Sequence, residues 1–136
     1  MSVGENKTLI RHVIESANRR DMLAYWKPFA SELVFHDATS AKSLEQFKQH
    51  TTTVMAAFPD FHWTIEDMIA EGDKVFCRTK FRGTHKDDLD DIAPTGKKID
   101  VIVMQIARIV SGMVVEFWHY PDELSLRRQL GAAIHN

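Results

Sequence analysis

The hydrophobic pattern changes its period near residue 60, and this change constrains the fold more than any other feature of the 136-residue chain. Before it, apolar residues recur every three or four positions, which is typical of amphipathic helices. After it, apolar and polar residues alternate, which is typical of strands in a half-buried sheet. Helices followed by long antiparallel strands predict an α+β fold with the helices on one face of a bent sheet. No linker or repeat interrupts the pattern, so we predict one domain over residues 1–136.

Capping signals mark where the helices begin and end. The first helix is predicted to begin at a capping box formed by Ser2 and Glu5 and to run to about Arg20. Asp21 is suited to cap a short second helix, which Pro28 ends because its ring disfavours a helical residue before it.

Two further helices are predicted later in the chain. A second capping box, Ser43 with Gln46, begins a third helix that ends before Pro59. Asp122 is suited to cap a closing helix, and Gly131 to end it. Each cap supplies an acceptor for backbone N–H groups that lack a partner in the first turn.

The strands are predicted from two-residue periodicity and turn signals. A short strand covers Leu33–His36, and residues 61–82 form a hairpin around a turn at 71–73. Residues 99–110 and 114–120 form a second hairpin. The polar segment 83–97 is too long for a simple connection, which favours a lid or rim loop.

Composition excludes several classes of function. The formal net charge is −2, without the basic stripe that a phosphate backbone requires. The apolar runs are far shorter than the roughly 20 residues of a membrane span, and the N-terminus lacks a secretory signal. Cys77 is the only cysteine, so a disulfide framework and a CxxC motif are excluded. We therefore expect a cytoplasmic protein that contacts neither nucleic acid nor membrane.

Candidate site residues are polar side chains at positions that the pattern makes apolar. Gln105 lies on the apolar face of its strand, where an amide needs a partner or a ligand. His119 lies on the last strand, His50 flanks the apolar stripe of the third helix, and His36 ends the first strand. The other histidines are expected to be solvated or in loops: His12, His62, His85 and His135.

Whether His119 lies on the same face of the sheet as Gln105 depends on the length of the loop between their strands. If the loop is the two residues Ser111 and Gly112, Met104 opposes His119 and Gln105 faces away. A three-residue loop that also includes Val110, with Gly112 in the left-handed position, makes Val103 oppose His119. Gln105 then lies on the same face as His119. Glycine in third place favours the second geometry.

In that geometry one concave surface carries the candidate site. Val103, Gln105, Phe117 and His119 line it together. The three tryptophans are expected mainly in the core or in subunit contacts, and Trp63 is the candidate for a pocket wall.

A metal site is the weaker interpretation of the histidines. His36, His50 and His119 with a water molecule would suit zinc or iron, but no spacing between them supports such a site. We expect neither metal nor cofactor. Cys77 is predicted to be a core strand residue.

Several segments resemble the polyketide cyclases of the nuclear-transport-factor-like superfamily, and the likeness covers nearly the whole chain. They are Phe58–Asp60, Ala70–Val75, Phe81–His85, Pro94–Lys97, Tyr120–Asp122 and Arg128–Gly131. The resemblance implies a cone, in which a curved antiparallel sheet wraps around the N-terminal helices and encloses an apolar cavity. It also implies a homodimer or homotetramer built through the outer face of the sheet.

The resemblance also implies where the chemistry lies. Family members close the last ring of an aromatic polyketide by aldol condensation, with an Asp as general acid and base and a His assisting it. The Asp position falls on His119 and the His position on Gln105, so both depart from the family pattern. His50 falls where the family places a residue that influences substrate geometry, and Asp122 matches a family Asp that capping explains.

The residues are therefore interpreted as an acid–base site. Neutral His119 is suited to abstract a proton near pH 7, Gln105 to donate to the resulting enolate oxygen, and His50 or His36 to return a proton. The favoured function is a cofactor-free enzyme of cyclase, lyase or isomerase type that acts on a hydrophobic carbonyl compound. The alternatives are a dehydratase or isomerase in the same pocket, and a module that binds a small ligand without catalysis.

Overall fold

The helices begin where the capping signals place them. A computed structural model describes residues 2–134, and His135 lies outside them. Helix α1 (Val3–Asn18) begins with the Ser2–Glu5 capping box and ends two residues before the predicted Arg20. Helix α2 (Met22–Trp26) begins at Asp21, whose side chain accepts from the backbone N–H of Ala24.

The two later helices also follow the predicted signals. Helix α3 (Leu44–Ala57) begins with the Ser43–Gln46 capping box. Helix α4 (Glu123–Leu130) is capped by Asp122 and ends at Gly131, which adopts a left-handed conformation with φ of 70°. Among residues 2–134 no helix combines the length and the apolar character needed to cross a bilayer.

In the described part of the chain, six strands form a single curved sheet that does not close. They are β1 (Phe29–His36), β2 (Ala41–Lys42), β3 (His62–Glu71), β4 (Lys74–Thr84), β5 (Lys98–Val110) and β6 (Met113–Pro121). The spatial order is β2-β1-β6-β5-β4-β3. Every neighbouring pair is antiparallel except β1 and β6, which run parallel. The predicted α+β fold with a curved, mainly antiparallel sheet is confirmed. The one parallel pair arises because β1 adds to the edge strand of the later meander.

The inner face of the sheet and the helices share an aromatic core. Phe35 stacks on Phe47 of α3 with ring centroids 4.2 Å apart. Phe117 of β6 lies 5.7 Å from the Phe47 ring and 5.9 Å from that of Phe29. These rings tie α3 to β1 and β6, and their burial contributes roughly 1.5–3 kcal/mol each.

The β5–β6 hairpin places Gln105 and His119 on the same face, but not through the predicted loop. Its loop is the two residues Ser111 and Gly112, with φ of 50° and 76°, so the predicted three-residue loop was wrong. Both residues lie in the left-handed region, as a two-residue hairpin turn requires. The register then shifts by one between Arg108 and Ile109, where β6 carries Val115 as an extra residue.

The segment between β4 and β5 is anchored by a histidine. His85 lies in this loop segment, as one of its two predicted environments allowed, but it is fully buried rather than solvated. Its backbone N–H donates to the carbonyl of Lys97 at 2.9 Å, and its ring Nδ1 accepts from the backbone N–H of Thr95 at 3.2 Å. His85 thus closes the base of the loop, and buried Leu89 packs into the core.

Candidate active site

Gln105 and His119 lie directly opposite each other on β5 and β6. In an antiparallel pair, opposite residues project from the same face with Cβ atoms about 5 Å apart. This is the inner face, because their neighbours Val103, Ala107 and Phe117 are buried there. The prediction that Gln105 and His119 share the concave face is confirmed, although Pro121 rather than His119 opposes Val103.

His119 is a neutral imidazole in apolar surroundings. The pKa of His119 is lowered to about 4, mainly by loss of hydration and to a smaller extent by the nearby His50, while Asp37 acts in the opposite direction. The rings of Phe35 and Phe117 lie 5.9 Å from its ring centroid. Nδ1 of His119 is shielded from solvent and has no hydrogen-bond partner among the described residues. Buried polar atoms without a partner are rare in native proteins, which distinguishes this position from the rest of the inner face.

Gln105 is held by the neighbouring strand. Its Nε2 donates to Oγ1 of Thr79 at 3.2 Å, and that hydroxyl donates to the carbonyl of Val103 at 2.8 Å. Thr79 is completely buried on the inner face of β4. The amide therefore stands in a fixed place on the wall that also carries His119.

His119 and Trp63 line three adjoining cavities inside the cone. The largest has about 710 Å³ of free space including its mouth, and Val103 and His50 also border it. An inner chamber of about 400 Å³ is bordered by Gln105 and Phe117 together with apolar residues of α1. These cavities bring together six of the seven predicted site residues: His119, Gln105, His50, Val103, Phe117 and Trp63.

The mouth of the main cavity is polar. Asp90 and Asp91 of the 83–97 segment border it with Glu123 and Arg127 of α4. Arg127 binds Asp91 at 2.8 Å, which ties the segment to α4 across the opening. The predicted rim loop therefore lies at the cavity entrance.

His36 lies apart from the other candidates. It projects from the outer face of the sheet, where its Nε2 is 2.6 Å from Oε2 of Glu116 and its ring stacks on Trp118 at 5.1 Å. The hydrogen bond with His36, aided by Arg108, holds the pKa of Glu116 below its usual value despite partial burial. His36 borders none of the three cavities. The structure therefore does not bring it together with the other predicted acid–base residues.

The structure adds one polar residue to the cavity wall and another directly behind it. Tyr25 of α2 borders two of the cavities, and burial raises its pKa, so the phenol is protonated at neutral pH. Thr79 holds Gln105. Thr79 occupies an apolar position in the alternating pattern of β4, which is the signal that identified Gln105 on β5. Tyr25 has no comparable signal, because a tyrosine beside Trp26 on a short helix fits a core position.

The histidines do not assemble into a metal centre. Across residues 2–134 no three His, Cys, Asp or Glu side chains are grouped so that they could hold a metal ion. His36 is separated from His50 and His119 by the sheet. Cys77 is buried on β4, and burial raises the pKa of its thiol to about 11.

Comparison with known proteins supports the same fold. The sequence profile of the family described as SnoaL-like polyketide cyclase matches residues 7–130. AclR from Streptomyces galilaeus, provisionally described as a hydroxylase, is 26% identical with a TM-score of 0.90 over 96% of this chain and 98% of its own. IdmH from Streptomyces antibioticus, provisionally described as a polyketide cyclase, is 25% identical with a TM-score of 0.83 over 93% of this chain and 99% of its own.

A third structure shows the fold alone. TsrD from Streptomyces laurentii is 23% identical with a TM-score of 0.86 over 98% of this chain and 99% of its own. No curated protein sequence matches the chain significantly.

Proposed function

The chain belongs to the SnoaL-like polyketide cyclase family, and we propose that it is a cofactor-free enzyme that transfers protons on a hydrophobic carbonyl compound. One observation carries the proposal. His119, a neutral imidazole in an apolar cavity, stands directly opposite Gln105, an amide with hydrogen-bonding capacity to spare. A base beside a donor is what removal of a proton next to a carbonyl requires.

The proposed reaction is an intramolecular aldol closure. The neutral imidazole of His119 accepts a proton from the carbon next to a carbonyl, and the electron pair of that C–H bond forms an enolate. The enolate carbon attacks a second carbonyl carbon of the same molecule, which forms the new C–C bond and leaves an alkoxide. The protonated imidazole returns its proton to the alkoxide, so the enzyme is regenerated and atoms and charge balance.

The environment of His119 suits both halves of this cycle. A pKa of about 4 keeps the imidazole neutral at pH 7, so it is ready to accept a proton. The same lowered pKa weakens it as a base and strengthens its conjugate acid, which favours the return of the proton. Gln105 uses one amide hydrogen on Thr79, and its second hydrogen is free to donate to the enolate oxygen.

The other residues have supporting roles in this proposal. Trp63, Val103 and Phe117 form apolar walls for the flat part of the substrate. His50, on the exposed side of α3 and bordering the main cavity, is placed to exchange protons between the site and solvent. Tyr25 offers a protonated hydroxyl in the inner cavities.

Two other functions use the same cavity. Dehydration and isomerisation also begin with proton abstraction, so the site suits them when the substrate carries a leaving hydroxyl or a movable double bond. A binding module is favoured by what the family resemblance implies, that His119 stands at the family's Asp position and Gln105 at its His position. In that case the two side chains would orient a ligand without reacting with it.

Hydrogen–deuterium exchange next to a carbonyl tests the proposal without knowledge of the natural substrate. The probes are 2-tetralone, 2-acetylnaphthalene and 1-phenylbutane-1,3-dione in deuterated buffer, followed by mass spectrometry. We expect the protein to accelerate exchange of at least one probe above the buffer rate. Failure to accelerate any of them contradicts proton transfer and supports the binding module. Stoichiometric metal in active protein would contradict the cofactor-free mechanism.

A further inference from the structure

We propose that Thr79 is a positioning residue that determines which atoms of the Gln105 amide face the cavity. This role of Thr79 rests on the proposed function in one respect, because it assumes that Gln105 contacts the ligand. Thr79 borders none of the three cavities and is completely buried behind the wall. It therefore acts on a ligand only through Gln105.

The direction of two hydrogen bonds fixes the orientation of the amide. A threonine hydroxyl has a single hydrogen to donate. Thr79 gives that hydrogen to the carbonyl of Val103 at 2.8 Å, so toward Gln105 its oxygen acts as an acceptor. The group 3.2 Å away must then be the amide nitrogen of Gln105 and not its carbonyl oxygen. Without Thr79 the two ends of the amide are nearly equal in shape and free to exchange places.

This orientation leaves the acceptor of Gln105 unused. No residue among 2–134 hydrogen-bonds its Oε1, and the side chain borders the inner chamber. The walls of that chamber are otherwise mostly apolar, so an acceptor there is well matched to a donor on the ligand. We expect the ligand to carry a hydroxyl or N–H at its inner end.

Two probes of nearly the same shape test the inference directly. 2-Naphthol carries a hydroxyl where 2-methylnaphthalene carries a methyl group, and isothermal titration calorimetry measures the affinity of each. We expect the unmodified protein to bind 2-naphthol about tenfold more tightly, the effect of one additional hydrogen bond. Gln105→Leu should bring the ratio of affinities close to one.

The variants at Thr79 separate positioning from packing. Thr79→Val keeps the shape but removes the hydroxyl, and should reduce the ratio of affinities to about threefold or less. Thr79→Ser keeps the hydroxyl and should retain the ratio, although the lost methyl group lowers stability slightly. Thr64→Val, on the adjacent β3, is the matched control and should leave the ratio unchanged.

A second measurement applies if Thr79→Val binds neither probe. In the unmodified protein the side-chain NH₂ of Gln105 should exchange slowly with solvent in nitrogen-15 NMR spectra, and this protection should be lost in the folded Thr79→Val variant. The inference is overturned if the unmodified protein shows no preference for 2-naphthol, or if folded Thr79→Val keeps both preference and protection. Neither readout requires turnover, so failure of the exchange assay with 2-tetralone would remove the proposed function and leave this result standing.

Discussion

Strand β6 and its neighbour β1 carry two histidines, and the two faces of the sheet give them opposite properties. On the outer face, His36 is paired with Glu116 and stacked on Trp118. On the inner face, Nδ1 of His119 has no hydrogen-bond partner within residues 2–134. A histidine whose partners are supplied by the fold is explained by structure. A histidine that the fold leaves unsatisfied inside a cavity is available for a ligand.

One residue decides whether His119 faces inward. The extra residue Val115 shifts the pairing of β6 with β5 by one position, so that His119 opposes Gln105 rather than Met104. Because side chains alternate along a strand, a shift of one reverses every side chain beyond it. The difference between the two faces therefore depends on this bulge.

Deletion of Val115 should have the largest effect. Either the β5–β6 pairing breaks or Phe117 and His119 turn outward, and loss of the buried Phe117 ring alone costs about 3–5 kcal/mol. We expect a decrease of about 4 kcal/mol or more in the free energy of unfolding, measured with urea, and no binding of 2-naphthol. Val110→Ala, at the exposed end of β5, is the control. Normal stability and binding after the deletion would show that the bulge does not determine which side chains of β6 face inward.

Substitution of each histidine in turn should show that only the histidine on the inner face is needed for activity. We expect His119→Gln to slow 2-tetralone exchange about 100-fold, the usual contribution of a general base, with probe affinity changed less than threefold. His36→Gln should leave the exchange rate within twofold. If His36→Gln abolishes exchange and His119→Gln does not, the assignment of the two faces is reversed.

The pH dependence of stability provides a third comparison. The pKa of His119 is about 4 in the folded chain and near 6.5 when unfolded. Between these values the unfolded chain binds more protons, so stability must rise with pH across this window. In urea titrations, the pKa shift of His119 should make the free energy of unfolding about 2 kcal/mol lower at pH 5 than at pH 7.5. His119→Gln should lose that part of the pH dependence, and an unchanged slope would indicate a well-hydrated His119.

Glu116→Gln should have the smallest effect. The His36–Glu116 pair is partly exposed, and such ion pairs typically contribute at most about 1 kcal/mol. We expect a small decrease in melting temperature that diminishes in 1 M salt, with exchange activity unchanged. A loss of activity would connect the outer face to the cavity.

Local signals in the sequence were sufficient for the helices, the longer strands and much of the cavity wall, but not for the short strand β2 or the beginning of β1. Caps at Ser2, Ser43 and Asp122 placed the helices because each satisfies backbone donors within its own turn. Gln105 and His119 were found as polar residues at apolar positions. These inferences require only neighbours close in sequence.

Long-range pairing could not be predicted in the same way. The parallel contact of β1 with β6 joins segments about 80 residues apart. The partners of His36 and His85, Glu116 and Thr95, are likewise set by tertiary packing. Val115 gave no signal, because a valine suits a bulge no better than a regular strand position.

The pH–rate profile of 2-tetralone exchange tests the central claim most directly. A neutral His119 acting as the base requires the rate to rise with pH through a midpoint near 4 and to stay level above pH 6, because the imidazole is then fully deprotonated. A midpoint near 6.5, or a profile unchanged in His119→Gln, would contradict proton abstraction by a desolvated His119.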